Sequence, residues 1–306
     1  MPYGYDDYLD KIVEVEDGDN RKYMAVRYDK FAIKKVTKTT FIYQNESDNR
    51  IWPDDEYLVE AICKYKRESR MGNDNSEDAL TWNVFRGMEK SGLLKKYLSD
   101  VVKMELTGVR LIYWSYDQDE EGLSSLLRDG REGIGEDKDK GTEPDLLVVS
   151  DQAIISIEAK LYASNNVPKG NERGALNKYK RYNEKEHLLS KDVTVEKVCI
   201  DYKKYELMRN WFLGSEMAGD KKFFLLNLVL DRNEKIIEDI CHELFADPNG
   251  NMTFKRITWE EIYRFVLQYK DDYQEAKTIV DYMKNKGSFV NGKRQYTFDL
   301  KKMVTE

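Results

Sequence analysis

Residues Glu143–Leu161 read EPDLLVVSDQAIISIEAKL, and the fold of the chain turns on them. Two apolar runs, Leu146–Val149 and Ala153–Ile157, flank a turn-sized gap. With Ser150 and Ala153 closing a two-residue hairpin over Asp151-Gln152, counting outward places Asp145 directly opposite Glu158. Directly opposed residues on antiparallel strands have Cβ atoms about 4.5–5.5 Å apart. Lys160 follows Glu158 by two residues and points to the same face, because strand side chains alternate. Two carboxylates and an ammonium therefore converge at the edge of an otherwise apolar sheet.

Such a cluster is costly unless it has a use. Neighbouring carboxylates resist joint ionisation, and one has its pKa raised unless a cation sits between them. A hard divalent cation such as Mg²⁺ removes the repulsion and accepts oxygen ligands. So held, it polarises a phosphoryl oxygen and acidifies bound water. A lysine beside it can orient that water or stabilise charge developing on the phosphate. This is equipment for phosphodiester hydrolysis. The competing reading is a half-exposed hairpin with an incidental surface ion pair.

Pro144-Asp145 followed by Glu158-Ala159-Lys160 resembles the signature of the PD-(D/E)XK, or restriction endonuclease-like, nuclease superfamily. The resemblance covers roughly Ser76 to Leu230. It implies an α/β core in which a mixed central sheet is flanked by helices. It further implies that Asp145 and Glu158 bind catalytic Mg²⁺ (or Mn²⁺), that the Ala159 main-chain carbonyl is a further ligand, and that Lys160 assists the attacking water. Acid-x-Lys tripeptides are common in a charge-rich chain. Specificity comes from the context, with Pro-Asp leading one apolar run and Glu-x-Lys ending the next.

A third acid fits the same resemblance. Asn73-Asp74-Asn75-Ser76 is a helix-entry sequence, and Leu80, Val84 and Met88 mark the buried stripe of the helix that follows. Glu77 projects over the inward face of the first turn, where many superfamily members carry a glutamate that reaches the metal. An acid in a first turn also simply complements the helix dipole.

The chain has 306 residues, 41% of them apolar, enough for a substantial core, either one large domain or one core with appendages. No apolar run approaches the roughly 20 residues of a membrane helix. The acidic start MPYGYDDYLDK has no secretory character, so a soluble, cytoplasmic protein with no membrane partner is expected. Cys63, Cys199 and Cys241 are scattered without metal-ligand spacing and read as buried thiols of a reducing compartment. Two histidines, His187 and His242, suggest neither a zinc site nor a catalytic triad. No glycine-rich phosphate loop is present, so no nucleotide cofactor is expected.

A net charge of −7 argues against nucleic acid, but its distribution matters more than its total. Lys160 to Lys204 carries eleven basic residues against six acids. Within it Lys178, Arg181 and Lys185 recur at i, i+3 and i+7, one basic stripe on a helix spanning Asn171–Ser190 and able to track a phosphate backbone. The bland reading is a solvated helix face with Tyr179 and Tyr182 turned to the core. Acidity concentrates in Asp117–Asp139, which reads as a solvated excursion before the Pro-Asp strand.

Along the chain, residues 1–72 read as a β-rich N-terminal region plus a helix, 73–232 as the nuclease-like core, and 233–306 as a mostly helical C-terminal extension. Lys284–Glu306 holds six basic residues against two acids and reads either as a nucleic-acid contact or as a free tail. The function these features favour is a Mg²⁺-dependent nuclease cutting DNA in restriction, defence or repair. The alternative from another class is a catalytically idle relative used as a binding module, which would be free to lose an acid or the lysine. RNA is a third candidate substrate, since the chemistry does not itself distinguish the sugars. Superfamily members are often homodimers because a duplex has two strands to cut, but no dimer motif is visible.

Overall fold

A computed structural model describes residues 12–16, 22–26, 33–36, 41–43, 46–66, 71–73, 75–166, 172–284, 286–290 and 293–298. Its elements begin with β1 (Ile12–Glu16), β2 (Lys22–Val26), β3 (Ile33–Val36) and β4 (Phe41–Tyr43), followed by α1 (Glu56–Cys63), α2 (Glu77–Lys90) and α3 (Leu93–Val102). Next come β5 (Arg110–Tyr113), β6 (Tyr116–Asp117), β7 (Gly122–Leu123), α4 (Ser125–Gly133), β8 (Leu146–Val149) and β9 (Ala153–Ala159). The run α5 (Glu172–Tyr179), α6 (Val195–Lys197), α7 (Tyr205–Ala218), β10 (Lys222–Val229), α8 (Ile237–Leu244) and β11 (Met252–Thr258) follows. The chain closes with α9 (Trp259–Leu267), α10 (Gln274–Lys284), β12 (Gly287–Val290) and β13 (Lys293–Tyr296). Among the described residues no helix is long and apolar enough to cross a membrane.

Two compact units are woven from non-contiguous segments. One comprises Met1–Glu60, Arg67–Tyr97 and Glu260–Glu306, the other Ala61–Lys66 and Leu98–Trp259. In the first, β1 pairs with β2, β3 with β4 and β12 with β13, all antiparallel. Helix α2 starts where its sequence says it should, because the Ser76 hydroxyl accepts a hydrogen bond from the Ala79 amide. Its buried Asn83 bonds the main chain of Asn49 and Ile51, and Arg86 and Lys90 both pair with buried Asp55 at 2.9 Å.

The second unit holds a seven-stranded mixed sheet in the order β11-β10-β9-β8-β5-β6-β7. Strands β9, β10 and β11 are parallel, and β8, β5, β6 and β7 continue antiparallel. This is the α/β restriction endonuclease-like core that the signature implied. All residues of β8 and β9 are buried, which explains why both read as near-continuous apolar runs. One face of the sheet presents Leu147, Val149, Ile154, Phe223, Leu225, Met252 and Phe254 to a core completed by α4, α5, α7 and α8. Helix α7 crosses β10 at Gly214, where a Cβ would lie 1.9 Å from the Phe223 ring, so only glycine permits the approach.

The unit boundaries differ from the contiguous division 1–72, 73–232 and 233–306. Helix α2, expected inside the core segment, belongs to the first unit, and β11, expected in the C-terminal extension, is the outer strand of the sheet. The reason is edge pairing. Apolar β10 would otherwise leave a row of backbone groups unpaired, and Met252–Thr258 supplies a parallel partner residue for residue.

The acidic segment also departs from expectation. Asp117–Asp139 is not a solvated excursion but builds β6, β7 and α4. Gly130 of α4 packs against Leu213 and Met217 of α7. Arg131, 2% exposed, donates to the carbonyls of Lys138 and Thr142 and to the Ser115 hydroxyl, closing the return to β8.

Candidate active site

The hairpin has the register read from its sequence. Leu146 pairs with Ile157 and Val149 with Ile154, and the Ser150 amide donates to the Ala153 carbonyl at 2.9 Å. The turn is fastened from outside, with the Thr107 hydroxyl donating to the Asp151 carboxylate and the Gln152 carboxamide to Thr107 Oγ1. The ladder ends at Leu146–Ile157; one position further the same register brings Asp145 toward Glu158, whose charge acts on it.

Asp145 Oδ2 accepts the Ala159 amide at 2.8 Å. The next amide along, from Lys160, donates the other way to the Leu228 carbonyl of β10 at 2.7 Å. In a strand the N–H and C=O of one residue face the same partner, so the Ala159 carbonyl also faces the Asp145 side. The β8–β9 ladder ends at Leu146–Ile157, and Pro144, in the position that would continue its register to Ala159, has no amide proton to offer. Hence the Ala159 carbonyl has no ladder donor and Asp145 Oδ1 makes no hydrogen bond among the described residues. Two oxygen donors are left open at one place.

Glu158, 7% exposed, is held at both oxygens. Lys160 Nζ lies 2.5 Å from Oε1, and Asn210 Nδ2 of α7 donates to Oε2 at 2.8 Å. A turn before Asn210, Glu206 Oε2 lies 3.4 Å from Lys160 Nζ, and its Oε1 accepts the Tyr205 hydroxyl at 3.1 Å. Asn210 is 1% exposed, and its Oδ1 has no hydrogen-bond partner among the described residues. On the Asp145 side, Lys66 Nζ sits 3.8 Å from Glu143 and 4.5 Å from the Trp114 ring centre.

The charges do not balance locally. Burial, and then the charge of Glu158, push the Asp145 carboxyl well above the usual range, against the opposing pull of Lys160 and Lys66. Burial disfavours the Lys160 ammonium, but the carboxylates of Glu158, Asp145 and Glu206 outweigh it and hold its pKa above normal. Negative charge is in excess, and an added cation would relieve it. Two carboxylates and a main-chain carbonyl form an all-oxygen donor set suited to Mg²⁺ or Mn²⁺. Among the described residues no cluster of three or more His, Cys, Asp or Glu side chains is placed to hold a metal.

Level with Glu158 on β10 stands Asn227, also fully buried. It bonds Asn165 and Glu234, and Glu234 pairs with buried Lys204 at 3.1 Å. This network ties the segment leaving Lys160 to the ends of β10 and α7.

The other expected residues fall differently. Glu77 opens α2 in the first unit. The third carboxylate that the second unit brings to Lys160 is Glu206. The basic stripe is broken, because the α-helix ends at Tyr179 and tightens into a 3₁₀ run over Lys180–Leu188. In that geometry residues i and i+3 eclipse, and Tyr179 and Tyr182 are both buried and stacked at 5.4 Å. Lys178 and Arg181 remain exposed, whereas Lys185 turns to Glu216 at 2.7 Å. Glu206 and Asn210 were missed although they left a signal: two polar residues four apart in the Glu206–Gly214 stretch, where Arg209 is the one other charged residue.

Residues 19–282 match the family described as restriction endonuclease associating with ARP. No curated protein and no solved structure matches the chain.

Proposed function

The chain belongs to this restriction endonuclease family, and on that premise we propose that it is a divalent-metal-dependent nuclease hydrolysing DNA phosphodiester bonds. The observation that carries the reading is the pair of open oxygens, Asp145 Oδ1 and the Ala159 carbonyl, beside the Glu158 carboxylate. Asp145, Glu158 and the Ala159 carbonyl would hold Mg²⁺ or Mn²⁺. When bound, the cation supplies Lewis-acid stabilisation of phosphoryl charge and acidifies water.

The chain's own groups do the rest. Lys160 remains an ammonium in this field of carboxylates, so it donates hydrogen bonds to the attacking water or the phosphate without accepting a proton. Asn210 fixes the Glu158 carboxylate from the helix side. Exposed Lys178 and Arg181 offer phosphate contacts that Lys185, occupied by Glu216, does not. The free thiols of Cys63, Cys199 and Cys241 suit a cytoplasmic setting.

Purified protein with Mg²⁺ or Mn²⁺ should nick or cut plasmid, single-stranded or branched DNA, and EDTA should abolish this. Asp145→Ala and Glu158→Ala should each remove cleavage with the circular dichroism spectrum unchanged. Retained cleavage in either variant rejects the assignment. Nucleic-acid binding without cleavage under any metal would favour the idle binding module instead, and a parallel RNA substrate settles the sugar.

A further inference from the structure

Lys160 has two carboxylates within reach but is seated on one. Its Nζ lies 2.5 Å from Glu158 Oε1 and 3.4 Å from Glu206 Oε2. Glu158 is the acid that the proposed cation needs, and its other oxygen, Oε2, is taken by Asn210. Oε1 retains a second lone pair. An ammonium and a divalent cation sharing that oxygen would nevertheless repel, strongly so where water is scarce. The cation and Lys160 therefore compete for one atom.

Glu206 is built to receive the displaced ammonium. Tyr205 holds its Oε1, leaving Oε2 turned to Lys160. Glu206 and Asn210 sit four residues apart on the same face of α7, so a single helix face grips Glu158 and offers Lys160 its other acid. We propose that Glu206 is a positioning residue that takes Lys160 over from Glu158 when a divalent cation enters. Lys160 then stands beside the cation without contesting Glu158, ready for the water or phosphate. This rests on the metal-site reading of Asp145 and Glu158.

A double-mutant cycle in Mn²⁺ affinity, measured by calorimetric titration of the metal-free protein, tests it. Glu206→Gln should weaken Mn²⁺ binding about tenfold, the scale of outer-shell substitutions at metal sites. In a Lys160→Met background the competing ammonium is gone, and the same substitution should change affinity by less than about twofold, the usual error of additivity. Equal losses in both backgrounds would mean that Glu206 acts on the cation by its own charge, which overturns the proposal. So would no loss in the wild-type background. Should Lys160→Met fail to fold, Lys160→Gln completes the cycle under the same criterion. If wild-type protein binds no Mn²⁺, or binds it undiminished after Asp145→Ala, the metal-site reading itself has failed and this inference falls with it.

Discussion

Pro144 lies two positions beyond Leu146–Ile157, the last pair of the β8–β9 ladder, where the continued register would set it against Ala159, and it has no amide proton to give. Asp145, the next residue, takes the Ala159 amide through its side chain. The Pro-Asp pair thus does two separate things to one residue, Ala159, satisfying its amide and offering its carbonyl no donor. A proline at a strand entrance is ordinary. Here its missing N–H means that position 144 offers the Ala159 carbonyl no donor, which suits the ligand role proposed for that carbonyl.

Pro144→Ala should close that opening. A new amide at position 144 would donate to the Ala159 carbonyl, and Mn²⁺ affinity should fall by about tenfold. Stability should barely move. The substitution loses about 0.4–1 kcal/mol of chain restriction and gains one hydrogen bond worth about 0.5–1.5 kcal/mol. Unchanged Mn²⁺ affinity in a variant that folds would show that the carbonyl is no ligand.

Asp145 is a site of stored electrostatic cost. Its carboxyl is pushed well up by burial and by Glu158, so the folded state holds the acid's proton more tightly than the unfolded chain does. The sign follows: above the ordinary aspartate value of 3.8 this residue destabilises the metal-free fold, and the penalty fades as pH falls from neutral toward that value. Asp145→Asn should therefore raise the melting temperature of the metal-free protein at neutral pH while abolishing cleavage. A gain on the order of 1 kcal/mol would appear as about 2–4 °C. A lower melting temperature than wild type in EDTA would contradict this account.

The strand-and-turn frame of the site was legible because it depends on local chemistry. Hairpin register, Pro-Asp, Glu-x-Lys and the Ser76 cap are each fixed by residues within a few positions of one another. What escaped was long-range. Asn210 and Glu206 reach Glu158 and Lys160 across some fifty residues, only because α7 lies over the face of the sheet that carries both. Lys66, whose charge acts on Asp145, stands before a stretch that carried no motif. The basic stripe failed for a local reason that periodicity hides, since two tyrosines three apart share one buried face by tightening the helix. The acidic segment was misjudged because Arg131, a charged residue, is the one its loop is folded around.

Lys178 and Arg181 should now separate from Lys185. Charge reversal at Lys178 and Arg181 should weaken DNA binding, and each lost phosphate contact should reduce the slope of log affinity against log salt by about 0.9. Lys185→Glu, facing Glu216, should instead cost about 1 kcal/mol or less of stability, as expected for a part-exposed pair. It should leave the salt slope alone. Equal effects of all three on binding would restore the single basic face.

Glu136 supplies a pH signature independent of the acid pair. Burial raises its carboxyl, but hydrogen bonds from the Tyr182 hydroxyl and from Thr142, with the Arg209 charge nearby, outweigh it and hold the group below its ordinary value of 4.5. A depressed carboxyl contributes stability that is fully present above 4.5 and is lost as pH falls through its folded-state value. Glu136→Gln keeps the size but weakens the acceptor for Tyr182 and Thr142. It should cost about 1–3 kcal/mol at neutral pH, the range for buried groups that lose a charged partner. Thermal melts of both proteins, taken downward from neutral pH through the acid range below 4.5, should show this gap narrowing. A gap that stays constant across that window would mean that Glu136 acts through packing, and its charge would have no part in holding the α4 return segment against Tyr182.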